Sequence, residues 1–307
     1  MKNVSRIRSL IKRLDDCEEP LKPDVAEKLQ TKLFSLIDQN VPDCLFRYRP
    51  GSAKDIDCLK RDCSYLSLPE RFNDPADCMV YVNPEEILEL SLRHMAPKGY
   101  EDAEIDETGF PTGFMKSLEI ANYGLDLIGD IKSGVKVCCL SENIKSPLMW
   151  SHYARDHKGF ALQYEMKDFL NNDCDGCKEN CFRKGRSFFP VIYNEQRSNN
   201  TAYAFARSLY ASDGHDDSDL PIPLLPLIQK GADWKYEKEW RYICRNMEVK
   251  YITIKPRAIY LGYAMEQETR EQIIAIAKEK EIDIFEVFID FLDPLFQMTI
   301  REYIDTE

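Results

Sequence analysis

At 307 residues the chain has room for one large domain or two small ones, and its 44% hydrophobic and 31% charged residues are those of a globular chain that buries a core. A formal net charge of -12 argues against a broad nucleic-acid-binding face, which needs a basic field to collect phosphate. There is no apolar run of the about 18 residues that a membrane helix needs. Lys2, Arg6, Arg8, Lys12 and Arg13 lead into Asp15 and Asp16 rather than into an apolar signal core, so the eleven cysteines read as reduced thiols of a cytoplasmic protein.

In chain order, residues 1–43 read as an N-terminal helical hairpin. Ile7, Leu10, Ile11 and Leu14 share one face at helical spacing, as do Leu29, Leu33, Leu36 and Ile37. Residues 44–307 read as the main α+β domain. It opens with a strand, Leu45 to Tyr48, followed by a Pro50-Gly51 turn, a short helix over 55–61 and a strand from Tyr65 to Leu68. Asn83-Pro84-Glu85-Glu86 is a helix start: a cap, a proline in the first turn, then acids at the positive dipole end. A helix over 115–131, a strand over 135–140, a helix from Ser146-Pro147 to Arg155 and a strand over 159–164 follow. Residues 171–187 form a cysteine-rich insertion and 213–226 an acidic, proline-rich loop. Strands over 240–244 and 258–263, an amphipathic helix over 266–280 and a buried strand over 284–291 complete the pattern. Helices and strands interleave irregularly. That predicts an α+β fold, a split mixed or antiparallel sheet flanked by helices.

Leu45-Phe46-Arg47-Tyr48-Arg49, Phe72-Asn73-Asp74-Pro75 and Met149-Trp150-Ser151-His152-Tyr153-Ala154 occur in that order. Gly159-Phe160, Trp234 with Glu237-Lys238-Glu239-Trp240-Arg241, and Leu261-Gly262 follow them. Together these motifs resemble the bacterial family catalogued as domain of unknown function 2971, over about residues 44–303. That family name carries no reaction, so the chemistry rests on the residues.

Arg47 and Arg49 alternate with aromatic residues on the first strand, and Ser141 ends a later one. Ser151, His152 and Tyr153 lie on a helix, while Glu237 and Glu239 sit two apart on what reads as one face of a strand. An arginine, a serine or tyrosine and a Glu-x-Glu pair on three strands resemble the split nicotinamide pocket of ADP-ribosyltransferases. The resemblance implies that Arg47 or Arg49, with Ser141 and Ser151, would hold NAD as substrate. Tyr153 would stack on nicotinamide, Glu239 would stabilise the ribosyl cation, and Glu237 would position or deprotonate a macromolecular acceptor. A toxin or anti-phage defence effector is the role such an activity implies. Plain surface ion pairs explain the same charges equally simply. His152 is open to two readings, a buried core histidine or a general base. Phe72-Asn73-Asp74-Pro75 reads as a turn.

Cys174, Cys177 and Cys181 are spaced to chelate zinc, with a fourth ligand to come from elsewhere, or are free thiols. The cluster Asp213, His215, Asp216, Asp217 and Asp219 fits no calcium loop and reads as a solvated acidic segment. The alternative to an enzyme is an interaction or sensor module, binding a protein partner through the helical hairpin and the cysteine loop.

Overall fold

The structure is a computed structural model that describes residues 4–14, 23–95, 105, 107, 109–110, 113–126, 130–167, 188–212, 214 and 223–305. The elements begin with α1 (Val4–Leu14), α2 (Pro23–Asp38), β1 (Cys44–Arg49), α3 (Ala53–Lys60), β2 (Cys63–Tyr65), α4 (Pro84–Met95), α5 (Phe114–Asp126) and α6 (Asp130–Ser133). Next come β3 (Lys136–Ser141), α7 (Pro147–Tyr153), β4 (Phe160–Glu165), β5 (Phe188–Pro190), β6 (Ile192–Asn194), α8 (Thr201–Ser212), α9 (Leu224–Ile228) and β7 (Gln229–Gly231). The last are β8 (Glu239–Cys244), β9 (Tyr251–Thr253), β10 (Ala258–Leu261), α10 (Gln267–Glu279), β11 (Asp283–Phe288) and β12 (Thr299–Glu302). The fold is α+β. The chain divides into two compact units, and the division does not follow residue 43.

The first unit comprises residues 1–36, 69–134 and 192–231 and is mainly helical. Ile7, Ile11 and Leu33 are buried, as the apolar stripes of α1 and α2 require. Asn83 caps α4, its side-chain oxygen accepting from the Glu85 and Glu86 amides at 3.0 and 3.3 Å. α4, α5 and α8 pack together, and β6 pairs with β7 in parallel. Lys230 and Asp77 form a buried ion pair at 3.4 Å.

The second unit, residues 37–68, 135–191 and 232–307, holds an eight-stranded mixed sheet in the order β12-β11-β10-β4-β1-β3-β8-β5. Only β10 and β11 run parallel. β1 matches β4 over six residue pairs and β3 matches β8 over six. β1 and β3, by contrast, meet at a single pair, Phe46 opposite Ser141. The sheet is therefore nearly split between β1 and β3. The chain itself fills that split, since Ser67 and Val137 exchange backbone hydrogen bonds of 2.9 and 2.8 Å.

Pleating gives the sheet two chemically distinct faces. One carries Phe46, Tyr48, Ala161, Ala258, Tyr260 and Val287 and is covered by Met149, Trp150 and Ala154 at α7. Tyr48 meets Trp150 edge to face at 5.1 Å. Residues directly opposite in the ladders share a face, so Ser141, Glu239 and Arg241 belong to this side with Phe46. Leu45, Arg47 and Arg49 project to the other.

α7 stops at Tyr153, short of the expected Arg155, because Arg155, Asp156 and His157 follow in left-handed conformations at φ 48°, 52° and 66°. Such a run is costly for residues with a Cβ. It is secured by amide hydrogen bonds, Asp156 to the Ser151 carbonyl and His157 to the Trp150 carbonyl, each 3.2 Å. It aims the chain at Gly159, which crosses the end of β1 so closely that a Cβ there would lie 2.1 Å from the Arg49 carbonyl oxygen. Gly262 crosses the same turn: its Cβ would meet the His157 and Gly159 carbonyl oxygens at 2.3 and 2.4 Å.

Several boundaries differ from those expected. β2 lies two to three residues earlier than the Tyr65–Leu68 strand, because Ser67 is committed to Val137. The helix expected over 115–131 corresponds to α5 over Phe114–Asp126 and α6 over Asp130–Ser133, with 127–129 outside the described residues. The end of the acidic loop is the short helix α9, and the final strand stops at Phe288.

Candidate functional site

The sheet register separates the arginines of β1 from the carboxylates of β8. Arg47 lies across the sheet from Ser141 and Glu239 and is almost fully buried. Its guanidinium donates to Ser64 Oγ, the Tyr65 carbonyl and Cys138 Sγ, tying the segment that fills the split to both of its walls. Burial works against this charge, but Cys138 and Tyr164 hold the Arg47 pKa above its ordinary value. Tyr164 is in turn pushed up to about 12 by burial. Arg49 pairs with Asp55, the acid that also completes the Ser52 capping box of α3. Burial, then Arg47, lowers its pKa. The expected convergence of Arg47 or Arg49 with Ser141 and Glu239 is therefore not found. Both arginines are committed to internal partners on the opposite face, where they cannot hold the phosphates of a ligand seated beside Glu239.

Glu237 and Glu239 also differ from expectation. Glu237 ends a 3₁₀ turn, Ala232–Glu237, and Lys238 at φ 45° breaks the alternation before β8 begins at Glu239. The two carboxylates are thus not a same-strand pair. Glu239 is held by Arg241 in a two-point ion pair, Nε to Oε1 at 2.8 Å and Nη2 to Oε2 at 3.0 Å. Arg241 is fully buried. It is the arginine on the carboxylate face, and it belongs to the quoted motif, but sequence reasoning gave it no role. Its position two residues from Glu239 on a strand was the available signal.

Glu237 has different company. The Tyr153 hydroxyl, presented by the end of α7, donates to Glu237 Oε1 at 2.5 Å. Ser141 Oγ donates to the Glu237 carbonyl at 2.5 Å and accepts from the Asn143 amide at 3.0 Å. Tyr153, Ser141 and Glu237 therefore meet at one place, with Ser141 acting on the backbone that carries the carboxylate. Glu237 is 2% exposed. Around it the rings of His152, Trp234 and Tyr236 form a cluster with centroids 6.0 to 6.3 Å apart. Tyr153 joins His152 at 6.3 Å. His152 is exposed, while Tyr153, Trp234 and Tyr236 are half-buried, so the cluster presents aromatic surface to solvent. The core reading of His152 does not hold, since its side of α7 leaves the sheet. Ser151 is half-buried and contributes its carbonyl to the left-handed turn. Lys235 and Lys238, flanking Tyr236 and Glu237, are exposed.

Cys174, Cys177 and Cys181, and the acids and His215 of the 213–219 cluster, lie outside the described residues. Among the described residues no group of three or more His, Cys, Asp or Glu side chains is placed to hold a metal, and no helix is long and apolar enough to cross a membrane.

Residues 149–242 match the sequence model of the family described as "Protein of unknown function (DUF2971)". The match spans Tyr153, the aromatic cluster, Glu237, Glu239 and Arg241, and it starts beyond β1. No curated protein and no solved structure matches the chain.

Proposed function

We propose that the second unit binds NAD through the His152–Trp234–Tyr236 ring cluster and breaks its nicotinamide–ribose bond, with Glu237 as the catalytic carboxylate. The observation that carries this reading is the Tyr153–Glu237 hydrogen bond lying beside partly exposed rings. Oxidised nicotinamide is a cationic aromatic ring, and aromatic faces attract such a ring electrostatically. Exposed Lys235 and Lys238 supply local positive charge for the pyrophosphate of an otherwise acidic protein. As the C–N bond breaks, its electron pair leaves with neutral nicotinamide and positive charge moves onto the ribose. A carboxylate held in a water-poor setting stabilises that charge most effectively. Tyr153 orients Glu237 and limits its motion. An acceptor nucleophile, water or a side chain of a macromolecule, then adds to the ribosyl carbon and loses a proton. A transferase acting in bacterial defence or as a toxin is the role consistent with such chemistry.

Glu239 takes a positioning part in this scheme, because Arg241 already satisfies its charge. Calorimetric titration with NAD tests the binding half. Losing one stacking ring is worth about 1–3 kcal/mol, so Trp234→Ala is expected to weaken NAD at least about fivefold. Absence of any NAD binding to the unaltered protein would favour the interaction-module alternative.

A further inference from the structure

Between β11 and β12 the chain leaves the sheet and exposes Ile289, Phe291, Leu292, Leu295 and Phe296 at 45, 91, 92, 62 and 102% of their maximum. This is not an unorganised loop. The Leu292 amide donates to Asp290 Oδ1 at 2.9 Å and the Leu295 amide to Asp293 Oδ1 at 2.8 Å. The Asp293 amide returns to the Asp290 carbonyl at 3.2 Å. Local hydrogen bonds thus fix the backbone in successive turns that hold the apolar side chains outward. The segment leads straight into β12, the last strand in the sheet order, whose outer edge has no strand neighbour among the described residues.

Two exposed phenylalanines alone carry on the order of 400 Å². With the three aliphatic residues the exposed apolar area is roughly 800 Å², more than monomeric proteins usually leave in one place. It also equals the roughly 800 Å² that each partner contributes to a standard stable interface. Asp290 and Asp293 within the segment, and the net charge of -12, disfavour an anionic lipid surface. An apolar patch of this size that is compact in sequence can be covered by its own symmetry mate, because a two-fold axis places one surface against itself.

We propose that this edge of the sheet is a self-association surface, with the Ile289–Phe296 segments of two copies of the chain covering each other about a two-fold axis. The inference is independent of the NAD site, since none of its residues belongs to the aromatic cluster.

Sedimentation of the full chain at micromolar concentrations is the test, alongside a Phe291→Asp/Phe296→Asp double variant. The expected result is a species of twice 35.8 kDa for the unaltered protein. The variant should be a monomer, with self-association weakened at least about a hundredfold and an unchanged melting temperature. If the double variant fails to fold, Leu292→Lys supplies the same comparison. A monomeric unaltered protein, or a dimer indifferent to these substitutions, overturns the proposal. So does a monomer that floats with phosphatidylcholine–phosphatidylglycerol vesicles and loses that binding in the variant, which would assign the patch to membranes.

Discussion

Gly159 and Gly262 mark where three stretches of backbone pass at van der Waals limits. A Cβ at position 159 would sit 2.1 Å from one carbonyl oxygen and 3.0 Å from that of Ala154. These obstacles are backbone atoms, which cannot rotate aside as a side chain end does. Gly159→Ala is therefore expected to exceed the about 1–3 kcal/mol typical of overpacking, read as a large fall in the urea midpoint. A midpoint within error of the unaltered protein would show that the backbone at this crossing relaxes enough to admit a methyl group. The two carboxylates also part company at this scale. Glu239 is locked to Arg241 in a buried pair, and removing one member of such a pair costs about 3–5 kcal/mol. Glu237 accepts from the Tyr153 hydroxyl, and glutamine at this position keeps a side-chain oxygen for that bond while removing the charge.

At the scale of elements, the left-handed turn between α7 and β4 joins strain to an unsatisfied group. His157 Nδ1 is buried with no hydrogen-bond partner among the described residues, and burial, opposed by Asp156, holds its pKa below the ordinary 6.5. As pH falls through 6.5 the unfolded chain takes up this proton before the folded one, so folding stability declines with falling pH in that range. His157→Gln is expected to make the urea midpoint less sensitive to pH just below 6.5. Equal slopes for variant and unaltered protein would remove His157 from the acid response.

The same scale shows what the sequence made legible. The helix expected over 266–280 is α10 to within a residue at each end, because thirteen residues of period 3.6 leave little ambiguity. β5, β6, β7 and β9 have three residues each, too few for an alternating pattern to register. α8 was not anticipated. Its long-range partners, among them Thr201 Oγ1 accepting from the Asn83 amide at 3.0 Å, cannot be read locally. Within the site, alternation correctly set Arg47 and Arg49 on one face of β1. It could not say that Phe46, rather than Arg47, lies opposite Ser141. Register between strands about a hundred residues apart is a tertiary fact, and a shift of one residue exchanges the faces. Lys238 in a left-handed conformation likewise defeated the reading of Glu237 and Glu239 as neighbours on one strand.

For the molecule, the nearly split sheet is closed by its own chain and clamped by Arg47, and the proposed site lies on the opposite face. There Tyr153, Glu237 and three rings gather within the stretch that matches the family of unknown function. In the proposed reaction Glu237 is the carboxylate that stabilises the ribosyl cation left as nicotinamide departs. Release of free nicotinamide from NAD, with and without cell lysate as a source of acceptor, measures it directly in the unaltered protein, Glu237→Gln and Glu239→Gln. The assignment predicts release by the unaltered protein and a loss of about 10²–10³-fold in Glu237→Gln, with NAD affinity and melting temperature retained. Glu239→Gln is expected to lower the melting temperature first. Undiminished release by Glu237→Gln, or no release by the unaltered protein under either condition, would contradict it.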